Sequence, residues 1–237
     1  IAPFCPHYGL CGGCAVQALA SDVYKAWKRN LLVAALSHAR LDATVMPLVD
    51  AHGEGRRRAT FHARVTHDAL NRARVVSGFM KARDLDACPV LAPALNDAPA
   101  VAQALAETLA SLGKPLDITI TSSTEGLDVS FRGTGPLAPH IQQGLVKMAG
   151  RYDLARLSNH GEIVIERRTP RLVVGRAMVS PPPGAFLQAT QAGEDALSTL
   201  VIAAIAQHAP KAKQVADLFA GIGTFALRLA ERCSVHA

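Results

Sequence analysis

Three of the five cysteines fall within ten residues, in the run Cys5-Pro-His-Tyr-Gly-Leu-Cys11-Gly-Gly-Cys14. A Cys-x-x-Cys step lets two thiolates face one metal centre. Gly12 and Gly13 remove side chains that would crowd a bulky cofactor and permit positive φ. Three thiolates are one short of the four that a structural zinc or a cubane iron–sulfur cluster uses. Cys88, in Asp86-Ala87-Cys88-Pro89-Val90, is the natural fourth, and a proline also follows a cluster cysteine in bacterial ferredoxins. The residues alone leave a cluster, a zinc ion and plain free thiols open. Five cysteines in 237 residues exclude a disulfide scaffold. Cys233 lies far along the chain and reads as a thiol outside the site. His7, inside the cysteine run, reads as structural.

A second stretch with chemistry in it is Val215-Ala-Asp217-Leu-Phe219-Ala-Gly221-Ile-Gly223-Thr224-Phe225. An apolar strand runs into a Gly-x-Gly turn and then a helix. Glycines let backbone approach a ligand, and a helix N-terminus offers free N–H groups. The third glycine of the dinucleotide fingerprint is missing, as is the lysine of a phosphate-binding loop. The acidic residue four before the first glycine instead resembles the first motif of class I S-adenosylmethionine-dependent methyltransferases. The plain alternative is a strand–turn–helix corner.

The elements that must position these residues follow from hydrophobic periodicity. Val23, Trp27, Leu31, Leu32 and Leu36 predict a helix over 18–39. Strands are expected over 59–66 and 74–80, then a helix over 91–112 closed by Gly113 and Pro115. Strands at 118–122 and 127–132 flank a short polar turn. A helix over 137–149 and short strands at 163–167 and 172–178 complete the first part. Pro181-Pro182-Pro183-Gly184 is the best boundary in the chain. Beyond it come a helix over 191–208, a strand over 214–219 and a helix from Thr224, with a further strand near Val235.

Composition narrows the class. Lys and Arg total 25 against 19 Asp and Glu, a formal charge of +6, which favours a polyanionic partner. The hydrophobic fraction of 49% excludes wholesale disorder. The longest near-apolar run, 197–206, is far short of a membrane span, and no signal peptide is evident. Arg56-Arg57-Arg58 precedes a strand, and arginine forks suit phosphate. Arg167, Arg168 and Arg171 form a second basic cluster, and Lys81 and Arg83 a smaller one. Aromatics are only 5%, so no stacking platform for single strands is obvious. Ile1 in place of Met, and the stop at Ala237 without a tail signal, lead us to expect a segment of something longer.

Four segments together resemble the bacterial RNA 5-methyluridine methyltransferases, in the branch that carries an iron–sulfur cluster. They are Cys5 to Cys14 with Gln17, Gly78-Phe79 through Cys88 to Pro93, Phe186-Leu187-Gln188, and Asp217 to Phe225. The resemblance implies an α+β central domain with an iron–sulfur site over 1–180. The start of an α/β Rossmann-like class I methyltransferase domain follows over 184–237. It implies that Cys5, Cys11, Cys14 and Cys88 ligate a [4Fe–4S] cluster. It also implies that Gln188, Phe219 and Thr224 contact S-adenosylmethionine, and that Gly221 and Gly223 allow close backbone approach. The family more often has Asn at Thr190 and Thr224, and Thr cannot span two partners as an amide does.

In that family a cysteine thiolate adds to uracil C6, C5 takes the methyl group, and a base removes the C5 proton. No residue here corresponds to that nucleophile or base, so the segment is expected to be inactive alone. The implied protein is cytoplasmic and monomeric, with RNA, foremost 23S ribosomal RNA, as partner. The rival readings are a zinc- or cluster-stabilised RNA-binding module without methyl transfer, and an electron-transfer protein.

Overall fold

The computed structural model describes residues 1–81 and 85–237. Arg83, one of the basic residues singled out above, lies outside the described residues. The chain opens with a loop over 1–20 and helix α1, Ser21–His38. None of the α1 residues is buried, so Val23, Trp27 and Leu31 form an exposed stripe rather than a core face. The Arg29 guanidinium donates to the Val45 carbonyl and ties the following extended segment to the helix.

The main body is a six-stranded sheet. Strands β1 (Arg58–His67), β2 (Ala73–Gly78), β3 (Leu116–Ser123), β4 (Gly126–Arg132), β5 (Arg156–Asn159) and β6 (Glu162–Glu166) lie in the order β2-β1-β3-β4-β5-β6. All neighbours are antiparallel except β4 and β5. Period-two alternation puts Ala59, Phe61 and Ala63 of β1 and Leu116, Ile118 and Ile120 of β3 on the core face. Helices α2 (Ala98–Thr108) and α3 (Pro139–Arg151) cover that face. Leu95, Val101, Leu105 and Leu145 fill the interior without solvent exposure.

The opposite face carries polar cross-strand pairs. Thr60 meets Thr119, and the His62 ring nitrogen lies 2.6 Å from Asp117 Oδ1. Further along, Arg156 of β5 grips Asp128 of β4 in a bidentate pair at 2.9 and 2.8 Å and donates to the Pro181 carbonyl. The proline run is thereby tied to the sheet.

Past the sheet, β7 (Leu172–Val174) and β8 (Ala177–Val179) form a separate hairpin. Helix α4 spans Gln191–His208. Strand β9 (Gln214–Ala216), the short helix α5 (Ala226–Leu229) and β10 (Ser234–His236) follow, with β9 and β10 paired in parallel.

Several expectations need correction. The helix over 91–112 is three pieces, because Pro93 starts a separate 3-10 turn before α2 and Leu109 leaves helical geometry. The strand over 172–178 is a hairpin that reverses at Gly175, whose φ is +60°. The strand from 214 ends at Ala216, and the last helix begins at Ala226 with four residues. Strand β5 was not anticipated, since Arg156 and Ser158 break its apolar pattern.

Candidate functional site

Cys5, Cys11, Cys14 and Cys88 line one cavity. The first three come from a loop that is held by its own turns, with Tyr8 N–H donating to the Cys5 carbonyl and Cys11 N–H to the His7 carbonyl. Lys81 N–H donates to the Cys11 carbonyl at 3.0 Å and docks the loop on the segment after β2. Gly12, at φ +74°, passes so close to this segment that a Cβ would lie 3.2 Å from Lys81 Cγ. His7 Nε2 reaches Asp86 Oδ1 at 2.8 Å, so this histidine braces the Cys5 loop against the Cys88 segment.

Cys88 is half-buried against the hydrophobic core. Burial pushes its thiol pKa up, and neighbouring Cys14, Cys5 and Cys11 add to the rise, while a Val90 N–H opposes it. Gln17 also lines the cavity and accepts from Cys5 N–H through Oε1. Its Nε2 is buried and has no partner among the described residues. Among the described residues no three His, Cys, Asp or Glu side chains converge as the ligands of a single ion would.

The three consecutive arginines separate in the structure. Arg57 is 7% exposed and cannot present its guanidinium to a phosphate. It donates through Nε to the Gln188 carbonyl, through Nη1 to Gln191 Oε1 and through Nη2 to Glu194 Oε2. Its assignment as an RNA contact is therefore corrected. Arg58 is half-buried, with an unpartnered Nε and a pKa lowered by burial. Arg56 stays exposed and borders the cysteine cavity. Arg167 and Arg168 are also engaged, by the exposed carboxylate of Asp153, at 2.6 and 3.0 Å.

Glu194 was not anticipated. It is fully buried in the first turn of α4, and Arg228 of α5 donates to its other oxygen at 3.2 Å. Arg228 also donates to Asp195 at 2.6 Å. One carboxylate thus joins the start of β1, α4 and the helix that follows the glycine turn. Gln188, just before α4, is half-buried, and its carbonyl is held by Arg57.

In the glycine turn, Asp217 Oδ2 accepts from Ala226 N–H at 2.9 Å and caps α5. Phe219 sits at φ +63° with its ring fully exposed, a conformation that costs a β-carbon residue about 1–2 kcal/mol. Gly221, at φ +61°, faces open space, whereas a Cβ on Gly223, at φ +89°, would lie 2.8 Å from Leu227 Cγ. Thr224 is half-buried between these features. The turn therefore combines a strained, exposed aromatic, an open backbone and a capped helix start.

No profile of a known protein family matches the chain. The chain is 39% identical, over 99% of its own length and 56% of the other protein, to an uncharacterized RNA methyltransferase of Brucella suis biovar 1. It is 39% identical, over 100% of its length and 58% of the other, to an uncharacterized RNA methyltransferase of Rhizobium meliloti. A 23S rRNA (uracil(1939)-C(5))-methyltransferase of Shewanella sediminis is 28% identical over 98% of this chain and 54% of that protein.

Among solved structures, the Pyrococcus abyssi tRNA (uracil-54, C5)-methyltransferase, in complex with S-adenosyl-L-homocysteine, superposes with a TM-score of 0.62. It is 20% identical over 94% of this chain and 56% of that one, a likeness of fold. The chain spans somewhat over half the length of these relatives. Over nearly its whole length the chain is similar to proteins named as RNA methyltransferases, and its fold is similar to that of the Pyrococcus abyssi enzyme.

Proposed function

We propose that the chain is part of an S-adenosylmethionine-dependent enzyme that methylates uridine C5 in RNA, foremost 23S ribosomal RNA, with a structural [4Fe–4S] cluster. The observation that carries this reading is the convergence of Cys5, Cys11, Cys14 and Cys88 on one cavity beside the unpartnered Gln17 Nε2. An amide N–H buried without an acceptor fits a site whose thiolate or sulfide sulfurs take that bond.

S-adenosylmethionine supplies the methyl group when bound. Gln188, Phe219 and Thr224 would hold it, and the backbone at Gly221 and Gly223 would approach it closely. Residues 1–180 act as the cluster-bearing α+β domain and 184–237 as the opening of the methyltransferase domain. On this reading no residue among 1–237 serves as the nucleophile or the base of the reaction.

Two measurements test the reading. Anaerobic purification is expected to give about four irons and four sulfides per chain, lost in Cys88→Ser. One zinc without sulfide would leave an RNA-binding module. Calorimetry is expected to show binding of S-adenosylmethionine by the full-length protein, and no binding would remove the methyltransferase assignment.

A further inference from the structure

A groove of about 560 Å³ runs between α1 and the extended segment 48–52. Lys25, Lys28 and Arg56 line it. None of the three has a carboxylate partner among the described residues, although the chain pairs most of its buried and half-buried arginines. Phe4, 64% exposed, and Tyr24 line the same groove, with Lys28 Nζ 5.5 Å from the Tyr24 ring centroid. Cys14 lies at its wall, as do Ala189 and Thr190, the two residues after Gln188. Asp50 is the one acid in the lining, and its Oδ1 accepts from His52 N–H.

We propose that this groove binds a single strand of RNA and leads it between the cysteine cavity and the start of α4. The inference rests on the methyltransferase reading and adds the surface that takes the substrate. Three cations without a carboxylate partner along one groove give phosphates a track in which Asp50 is the one acid among the described lining residues. The exposed Phe4 ring and the half-buried Tyr24 ring beside those cations offer stacking faces to bases out of their own stack, which a duplex does not present. An enzyme acting on C5 must receive its base unstacked, so a single strand held next to Gln188 meets the requirement of the reaction. Sequence composition, with few aromatics, concealed this platform: Phe4 and Tyr24 come from separate segments that only the fold brings together.

The test measures binding of a uridine-containing single-stranded oligoribonucleotide by fluorescence anisotropy across a salt series, in the full-length protein. Lys25→Ala with Lys28→Ala is expected to weaken binding at least tenfold. The slope of log affinity against log salt should fall by about 1.4, from roughly 0.7 per single-strand phosphate contact. The matched pair Lys211→Ala with Lys213→Ala removes equal charge elsewhere and is expected to change both by much less. Phe4→Ala is expected to weaken binding about fivefold or more with the slope unchanged, as lost stacking would.

Equal effects of the two lysine pairs, or no effect of the groove pair, would overturn the proposal. So would equal affinity for duplex RNA of the same sequence. S-adenosylmethionine binding, followed in the same samples, decides the methyltransferase reading separately.

Discussion

Glu194 shows how one side chain joins distant segments. Both of its oxygens are engaged by guanidiniums, and it has no contact with water. Removing one member of a buried ionic group strands the others, which costs more than the group contributes over an apolar substitute. Glu194→Ala is therefore expected to destabilise the fold by about 3–5 kcal/mol in urea denaturation. Arg57 could have been separated from its neighbours in the sequence, since it shares the alternation phase of Ala59, Phe61 and Ala63. Nothing local marks Glu194, which reads as an ordinary acid in a first helical turn.

A different carboxylate makes part of the stability depend on pH in acid. The Arg168 and Arg167 guanidiniums hold the Asp153 pKa down to about 2. A depressed folded-state value stabilises the protein above the ordinary carboxylate range, near pH 4, and that contribution fades as pH falls toward 2. The melting temperature of Asp153→Asn is expected to depend less on pH than that of the wild type between pH 4 and pH 2.

At the level of elements, legibility followed the punctuation of the chain. Helix α4 matches the expected range of 191–208, and Thr190 caps it, its Oγ1 accepting from Gly193 N–H at 2.9 Å and donating to the Ala51 carbonyl. Thr190→Ala is expected to cost about 1 kcal/mol of stability by thermal or urea unfolding. The stretch after Leu91 was misread because its apolar periodicity continues through Pro93 while the backbone does not. The glycine turn was recognised by its residues, but the left-handed Phe219 within it was invisible. Phe219→Gly relieves that strain but loosens the unfolded chain, so stability is expected to stay within about 1 kcal/mol of wild type. Calorimetric affinity for S-adenosylmethionine should fall at the same time if the exposed ring contacts it.

At the scale of the whole molecule, the body around the six-stranded sheet and the segment after the proline run meet through polar contacts of high specificity. Arg156 holds the Pro181 carbonyl, Arg57 holds the Gln188 carbonyl, and Glu194 closes the set. The run from Pro181 to Gly184 stands out as a break in pattern, but nothing in its residues announces the contacts that hold it to the sheet. That Cys5, Cys11, Cys14 and Cys88 would share a cavity was legible because they are rare residues at restrictive spacing. The groove beside it was not, because its cations and rings are common residues drawn from three separate stretches.

The ion pair between Arg57 and Glu194 joins residues 137 positions apart. A ribosome adding about 5–20 residues per second delivers Arg57 on the order of ten seconds before its counter-ion exists. Until then, burying that guanidinium would leave a naked charge in the interior, so the first residues of β1 have reason to stay hydrated. The six-stranded sheet is thus expected to assemble from its centre outward, with the seam at Arg57 the last part to close. A chain interrupted before residue 194 would keep that seam open.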